Sequence, residues 1–131
     1  MEMAVRYCII DDEPVTRIQL RQTIACLRPN YYCEGEADDL QGLSRCCDKC
    51  PDLLIVNSQL CDGISFDALR KDLNQTPVIV TSSYIENEKE TKDLNTVAFL
   101  LKPVSKKILE SVLDKFDIER NHKHNIRIDH K

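Results

Sequence analysis

The sequence predicts an α/β fold in which a five-stranded parallel sheet is covered by helices on both faces. Three observations lead there. Five short apolar runs recur along the chain: "VRYCII" (5 to 10), "YYCEGE" (31 to 36), "LLIVN" (53 to 57), "PVIVTS" (77 to 82) and "VAFLL" (97 to 101). Longer polar stretches with helical spacing separate them, so strand and helix alternate five times, the pattern of parallel strands joined by crossover helices. The length, 131 residues, suits one domain with a real core and is short for two.

Each element has its own justification. The first run is almost wholly apolar, as a strand buried on both faces must be. Residues 14 to 28 carry Leu20, Ile24 and Leu27 on one stripe, whereas Val15, Ile18 and Ala25 fall on another side, so the buried face stays open; Pro14 suits a first helical turn. The second run is more polar and fits a sheet edge. Next, Leu40, Leu43, Cys47 and Cys50 trace one helical stripe. The third run ends in Asn57 and leads through a loop into a further helix. After the fourth run, "IENEKETKDL" (85 to 94) offers Ile85 and Leu94 as its strong apolar residues, which leaves little surface to dock, and a short or mobile helix is expected. From 104 to 117, Ile108, Leu109, Val112, Leu113 and Phe116 fall on one side, with Lys106, Lys107, Glu110 and Asp114 largely opposite. Residues 118 to 131 show no sustained period and read as a polar tail or linker after a domain spanning 1 to 117.

Composition narrows function. Hydrophobic residues make up 42% and charged residues 31%, ordinary for a globular protein. A net charge of −4 argues against this segment gripping DNA or an anionic membrane by itself. No apolar run reaches membrane-spanning length and no signal-peptide pattern opens the chain, so a cytoplasmic location is expected. Seven cysteines, an odd number scattered among apolar positions, point to reduced thiols and not to a disulfide framework. Cys47 and Cys50 have CxxC spacing, but no second ligand pair lies nearby and zinc is not expected. His122, His124 and His130 have no fixed geometry for a metal. With three glycines and neither GxGxxG nor a P-loop pattern, nucleotide chemistry is poorly supported.

Ligands of open parallel sheets bind beyond the carboxyl ends of the strands. Asp11 and Asp12 follow the first run, Asn57 ends the third, Ser82 ends the fourth and Lys102 follows the fifth. Strands about 4.8 Å apart would bring such side chains within ion-binding reach.

The stretches "IIDDEP", "PDLLIVNSQLCDGIS", "PVIVTSSY" and "FLLKPVS", in this order and spacing, resemble the receiver domain of two-component response regulators over roughly residues 4 to 117. "DDEP", "TSSY" and "LLKP" most resemble receivers that precede a LytTR-type DNA-binding domain. The resemblance implies a flavodoxin-like, CheY-like three-layer sandwich with strand order 2-1-3-4-5, and phosphoryl transfer from a histidine kinase to an aspartate. It implies Asp11 and Asp12 as Mg²⁺ ligands with the Gln59 carbonyl, Ser82 and Lys102 as the groups that meet the phosphoryl oxygens, Phe99 as the aromatic switch, and a cis bond before Pro103. Thr81 competes with Ser82 for the hydroxyl role, and Phe99 also reads as plain core. Asp11 and Asp12 also suit the start of a helix, and Lys102 alone would read as a surface lysine.

Asn57 falls on the acceptor position. An acyl phosphate needs an ionised carboxylate oxygen to attack phosphorus, and a neutral amide cannot supply it. Cys61 stands where many receivers have proline. The expectation is therefore an atypical receiver, not an independent enzyme, that binds Mg²⁺ weakly. It would signal through contacts with a histidine kinase or other protein, with a homodimer through the fourth helix, fifth strand and fifth helix, and with DNA only through an output domain beyond this segment. The alternative is an ordinary acceptor receiver of a DNA-binding regulator carrying an aspartate-to-asparagine change at 57. A flavodoxin-like cofactor binder is a third reading and predicts flavin absorbance.

Overall fold

The computed structural model describes residues 4–129, with side chains described through Lys123. Five strands, β1 (Val5–Ile10), β2 (Tyr31–Ala37), β3 (Leu53–Asn57), β6 (Val78–Ser82) and β7 (Thr96–Leu101), form one parallel sheet in the order β2-β1-β3-β6-β7. This is the expected doubly wound arrangement. The central β3 is buried at every residue, and β2, at the edge, is only partly covered, in keeping with its polar sequence.

Alternation along the strands divides the core into two layers. Tyr7, Ile9, Leu53, Ile55 and Ile79 face Leu20 and Ile24 of α1 (Pro14–Leu27) and Leu109, Leu113 and Phe116 of α4 (Lys106–Asp129). Cys8, Ile10, Leu54, Val56, Val78 and Val80 face the opposite layer, against Leu43, Cys46 and Cys47 of α2 (Leu40–Asp48) and Phe66 and Leu69 of α3 (Phe66–Arg70). The open question about α1 is thereby resolved: Leu20 and Ile24 are buried, whereas Val15 and Ile18 are exposed.

Three features depart from the sequence expectation, and a fourth agrees with it. After β3 the chain makes a small antiparallel ribbon, β4 (Gln59–Leu60) with β5 (Gly63–Ile64), pinned by the buried Leu60. Gly63, at φ 153°, adopts a backbone conformation that side chains rarely tolerate. In place of a fourth α-helix, Ile85–Thr91 is a 3-10 segment in which Thr91 is the buried residue, as expected of a stretch with little apolar surface. Cys50 lies past the end of α2, exposed and at φ 52°, whereas Cys47 is buried, so the CxxC spacing builds no shared ligand site. Finally, the supposed tail is helical: α4 runs to Asp129, although Ile108 on its expected inner face is exposed.

The extension has physical anchors. Arg28 bonds Asp114 and Asp117, Tyr31 Oη donates to Asp117, and Arg120 pairs with Asp52 at 3.4 Å. With neither proline nor glycine between 104 and 129, adding turns to a helix nucleated on the core costs little. Of the tail histidines, His122 is exposed on this helix; the His124 side chain and His130 lie outside the described residues. No described helix is long and apolar enough to cross a membrane.

Burial also sets the alkaline limit of the fold. Burial raises the Tyr7 phenol, and burial together with the bond to Asp117 raises Tyr31; burial pushes the Cys47 thiol up to about 12. The folded state thus favours the protonated forms, and the unfolded chain gives up its protons earlier, near about 8.5 for cysteine and about 10 for tyrosine. Their contribution is complete below those values and is lost as pH climbs toward the folded ones. The melting temperature is expected to fall progressively between about pH 8.5 and 11; a flat profile would contradict this packing.

Candidate functional site

The polar side chains gather at the carboxyl end of the sheet, on the face covered by α1 and α4. Asp11 extends β1, its N–H donating to Ala37 O at 2.9 Å, and its side chain is 1% exposed. Asp11 Oδ1 accepts from Glu13 N at 2.9 Å, which turns the chain into α1 at Pro14. Asp12 is half-buried beside it. Lys102, just past β7, closes the group from the other side: its Nζ stands 2.8 Å from Asp11 Oδ2 and 2.8 Å from Glu13 Oε1. Burial would lower the Lys102 ammonium, but the two carboxylates more than offset it and hold the group above its ordinary value. Reciprocally, the bond from Lys102 holds Glu13 below the usual carboxylate range. Sequence reasoning missed Glu13 as the second partner of Lys102.

Asn57 ends β3 directly opposite Thr81 of β6. It is 7% exposed, and its Nδ2 donates to the Gln59 carbonyl at 2.6 Å. The Ser65 hydroxyl donates to Asn57 O at 3.0 Å and fastens the start of α3 to the strand end. Ser58 N–H is committed to Thr81 O at 2.8 Å, which keeps this amide nitrogen from turning on the Asn57 side chain and opposes deamidation.

Strand alternation sets the two hydroxyls on opposite faces. Ile79 faces α1 and α4 and Val80 faces the other layer, so Thr81 continues the face of Asp11, Asn57 and Lys102, and Ser82 points away. The bonds agree. Ser82 Oγ accepts from Ser58 Oγ at 2.9 Å, from Tyr84 N at 3.0 Å and from Asn87 Nδ2 at 3.1 Å, a buried knot that secures the strand end. Thr81 instead lines a cavity of about 360 Å³ with Glu13, Thr16, Ser83, Lys102 and Val104. In a fully apolar strand the sequence carries no sign of which face is which.

Phe99 is half-buried and packs on the layer of Cys8 and Val80, away from Lys102. The bond between Lys102 and Pro103 is cis, as expected.

The donor set can be tested against a hard cation. One oxygen each from Asp11, Asp12 and Glu13 lies within 4.8 Å of the others, the one such acidic, histidine or cysteine group among the described residues. Asp11 Oδ2 is buried without a hydrogen bond of good geometry, its close contact being Lys102. These groups fit Mg²⁺, which takes carboxylate oxygens. Two features oppose it. Lys102 already neutralises Asp11, and the Gln59 carbonyl, the expected backbone ligand, is occupied by the Asn57 amide.

The family model for the response regulator receiver domain matches residues 7–114. No curated protein matches the sequence. Among solved structures, the chain is similar to the receiver domain of AraT, a response regulator from Geobacillus stearothermophilus, with 24% identity over 93% of this chain and 99% of that one, at a TM-score of 0.80. It is also similar to the receiver domain of a modulated diguanylate cyclase from Desulfovibrio desulfuricans G20, with 21% identity over 92% and 98% at a TM-score of 0.76. A third likeness is to the response regulator PhyR from Brucella abortus, with 20% identity and a TM-score of 0.84; the match covers 99% of this chain and 54% of PhyR. At such identities the likeness speaks for the fold.

Proposed function

The chain belongs to the response regulator receiver family, and on that premise we propose that it signals through protein contacts without accepting a phosphoryl group at Asn57. The observation that carries this reading is the Asn57 amide, which stands among Asp11, Thr81 and Lys102 on one face of the sheet and donates to Gln59 O at 2.6 Å. An amide nitrogen that donates here has no lone pair to offer phosphorus, and its oxygen carries no full charge. Asp11 and Asp12 are the residues that would hold Mg²⁺, weakly, and the ion would offset negative charge gathering at the site. Thr81 and Lys102, and not Ser82, are the groups suited to phosphoryl oxygens, because they continue the sheet face of Asn57 while Ser82 turns to the other layer.

The proposed partners are a histidine kinase or another signalling protein. The exposed Tyr84, Ile85, Leu101 and Ile108, around the 3-10 segment, β7 and α4, support a second copy as one partner. The "DDEP", "TSSY" and "LLKP" stretches favour a LytTR-type output domain beyond this segment and thus transcription control.

A second reading has its own support: the acidic group of Asp11, Asp12 and Glu13 with Lys102 beside it suits an ordinary receiver carrying an aspartate-to-asparagine change at 57. Incubating the chain with acetyl phosphate and Mg²⁺ and weighing it intact tests the first reading. The expected result is an unchanged mass. A base-labile phosphoryl adduct on the unaltered chain would overturn the reading.

A further inference from the structure

Lys102 is held by two carboxylates of unlike burial. Its Nζ stands 2.8 Å from Asp11 Oδ2 and 2.8 Å from Glu13 Oε1, yet the Asp11 side chain is 1% exposed and that of Glu13 62%. Glu13 sits at the N-cap of α1, but its side chain makes no cap bond to the first turn. Among the described residues that side chain bonds Lys102 instead. Both residues line the cavity of about 360 Å³ that also holds Thr81 and Ser83.

On the reading that Thr81 and Lys102 meet phosphoryl oxygens, we propose that Glu13 is a positioning residue: an internal counter-ion that fills the place of an oxyanion on Lys102 and swings out when one enters. An ammonium has three N–H donors, and two are already spent on carboxylates. With Asp12 close by, three carboxylates stand against one ammonium, so an arriving oxyanion is repelled while all of them stay. One has to yield, and burial decides which. Withdrawing Asp11 would strand a buried charge, whereas Glu13 turns into water from a pair that solvent already screens. The backbone need not move, since Glu13 N–H can stay on Asp11 Oδ1 at 2.9 Å while the side chain rotates. Asn57, being neutral, leaves the neutralisation of Lys102 to Asp11 and Glu13.

Glu13→Gln keeps the length of the side chain and removes its charge. The test adds it to Asn57→Asp and follows the acetyl phosphate adduct by intact mass at saturating Mg²⁺. The adduct is expected to form several-fold faster with Glu13→Gln, and this gain to vanish when Lys102→Met is also present, which a general loosening of α1 would not produce. Because Lys102→Met weakens the fold, a second measurement does without it. Amide spectra of the parent chain and of Glu13→Gln are recorded by NMR during titration with inorganic phosphate, and the variant is expected to bind several-fold more tightly, with shifts centred on Thr81 and Lys102. Equal adduct rates, a gain that persists with Lys102→Met, or equal phosphate affinities would overturn the role of Glu13 while Asn57→Asp still takes up phosphoryl groups. No adduct on Asn57→Asp would instead remove the phosphoryl reading beneath it.

Discussion

The Asn57→Asp variant is expected to bind Mg²⁺ at least about tenfold more tightly than the parent chain and to be the less stable of the two without metal, by about 1–2 kcal/mol. Two changes act together. A carboxylate at 57 cannot donate to Gln59 O as the amide now does at 2.6 Å, so two oxygens face each other where a hydrogen bond stood. It also adds a negative charge on the face that already holds Asp11 and Asp12. Two carboxylates about 4 Å apart repel by roughly 4 kcal/mol at an effective dielectric of about 20, an upper figure that solvent and Lys102 reduce. A divalent cation relieves both, since it frees the carbonyl as a ligand and offsets the charge. Melting curves with and without Mg²⁺, backed by calorimetric titration, measure the effect. Coincident curves for both proteins would refute it.

Lys102→Met is expected to cost about 3 kcal/mol, or somewhat more, in urea unfolding at neutral pH. Asp11 is 1% exposed and Lys102 14%, and their contact is 2.8 Å. Once the ammonium is gone, the buried carboxylate keeps the Glu13 N–H but loses its counter-ion, and most of the cost is that stranded charge. Adding Asp11→Asn should therefore return most of the lost stability, an interaction that a double-mutant cycle reads directly. Glu13→Gln should cost less than about 1 kcal/mol, because Glu13 is 62% exposed and its attraction to Lys102 is screened by water. Equal costs for Lys102→Met and Glu13→Gln would contradict the assignment of Asp11 as the principal partner.

The parts of this molecule legible in its sequence are those where one physical cause dominates. Leu53–Asn57 is read to the residue because a strand covered on both faces must be apolar throughout and end where the chain turns polar. The edge position of β2 follows from its glutamates and glycine for the same reason. Asp11 and Lys102 are found because strand ends at one edge of a parallel sheet have nowhere else to converge. Legibility fails where two causes compete. Thr81 and Ser82 are chemically alike, and the uniform apolar run before them hides the period-two signal that separates one face from the other. Beyond Phe116 the polar sequence suggests a tail, yet ion pairs of Arg28 and Arg120 with distant residues, Asp52 among them, carry the helix on. Ile108 looks like core from its spacing and is exposed.

The proposed function requires a phosphoryl-transfer site that is silent because residue 57 is an amide. Intact mass spectrometry of Asn57→Asp after incubation with acetyl phosphate and Mg²⁺ tests it most directly, with Thr81→Ala and Ser82→Ala each added to that variant. A labile gain of about 80 Da on residue 57 is expected, absent from the parent chain and slower to form after Thr81→Ala than after Ser82→Ala. An unmodified Asn57→Asp protein that is folded and binds Mg²⁺, or a larger effect of Ser82→Ala than of Thr81→Ala, would contradict it.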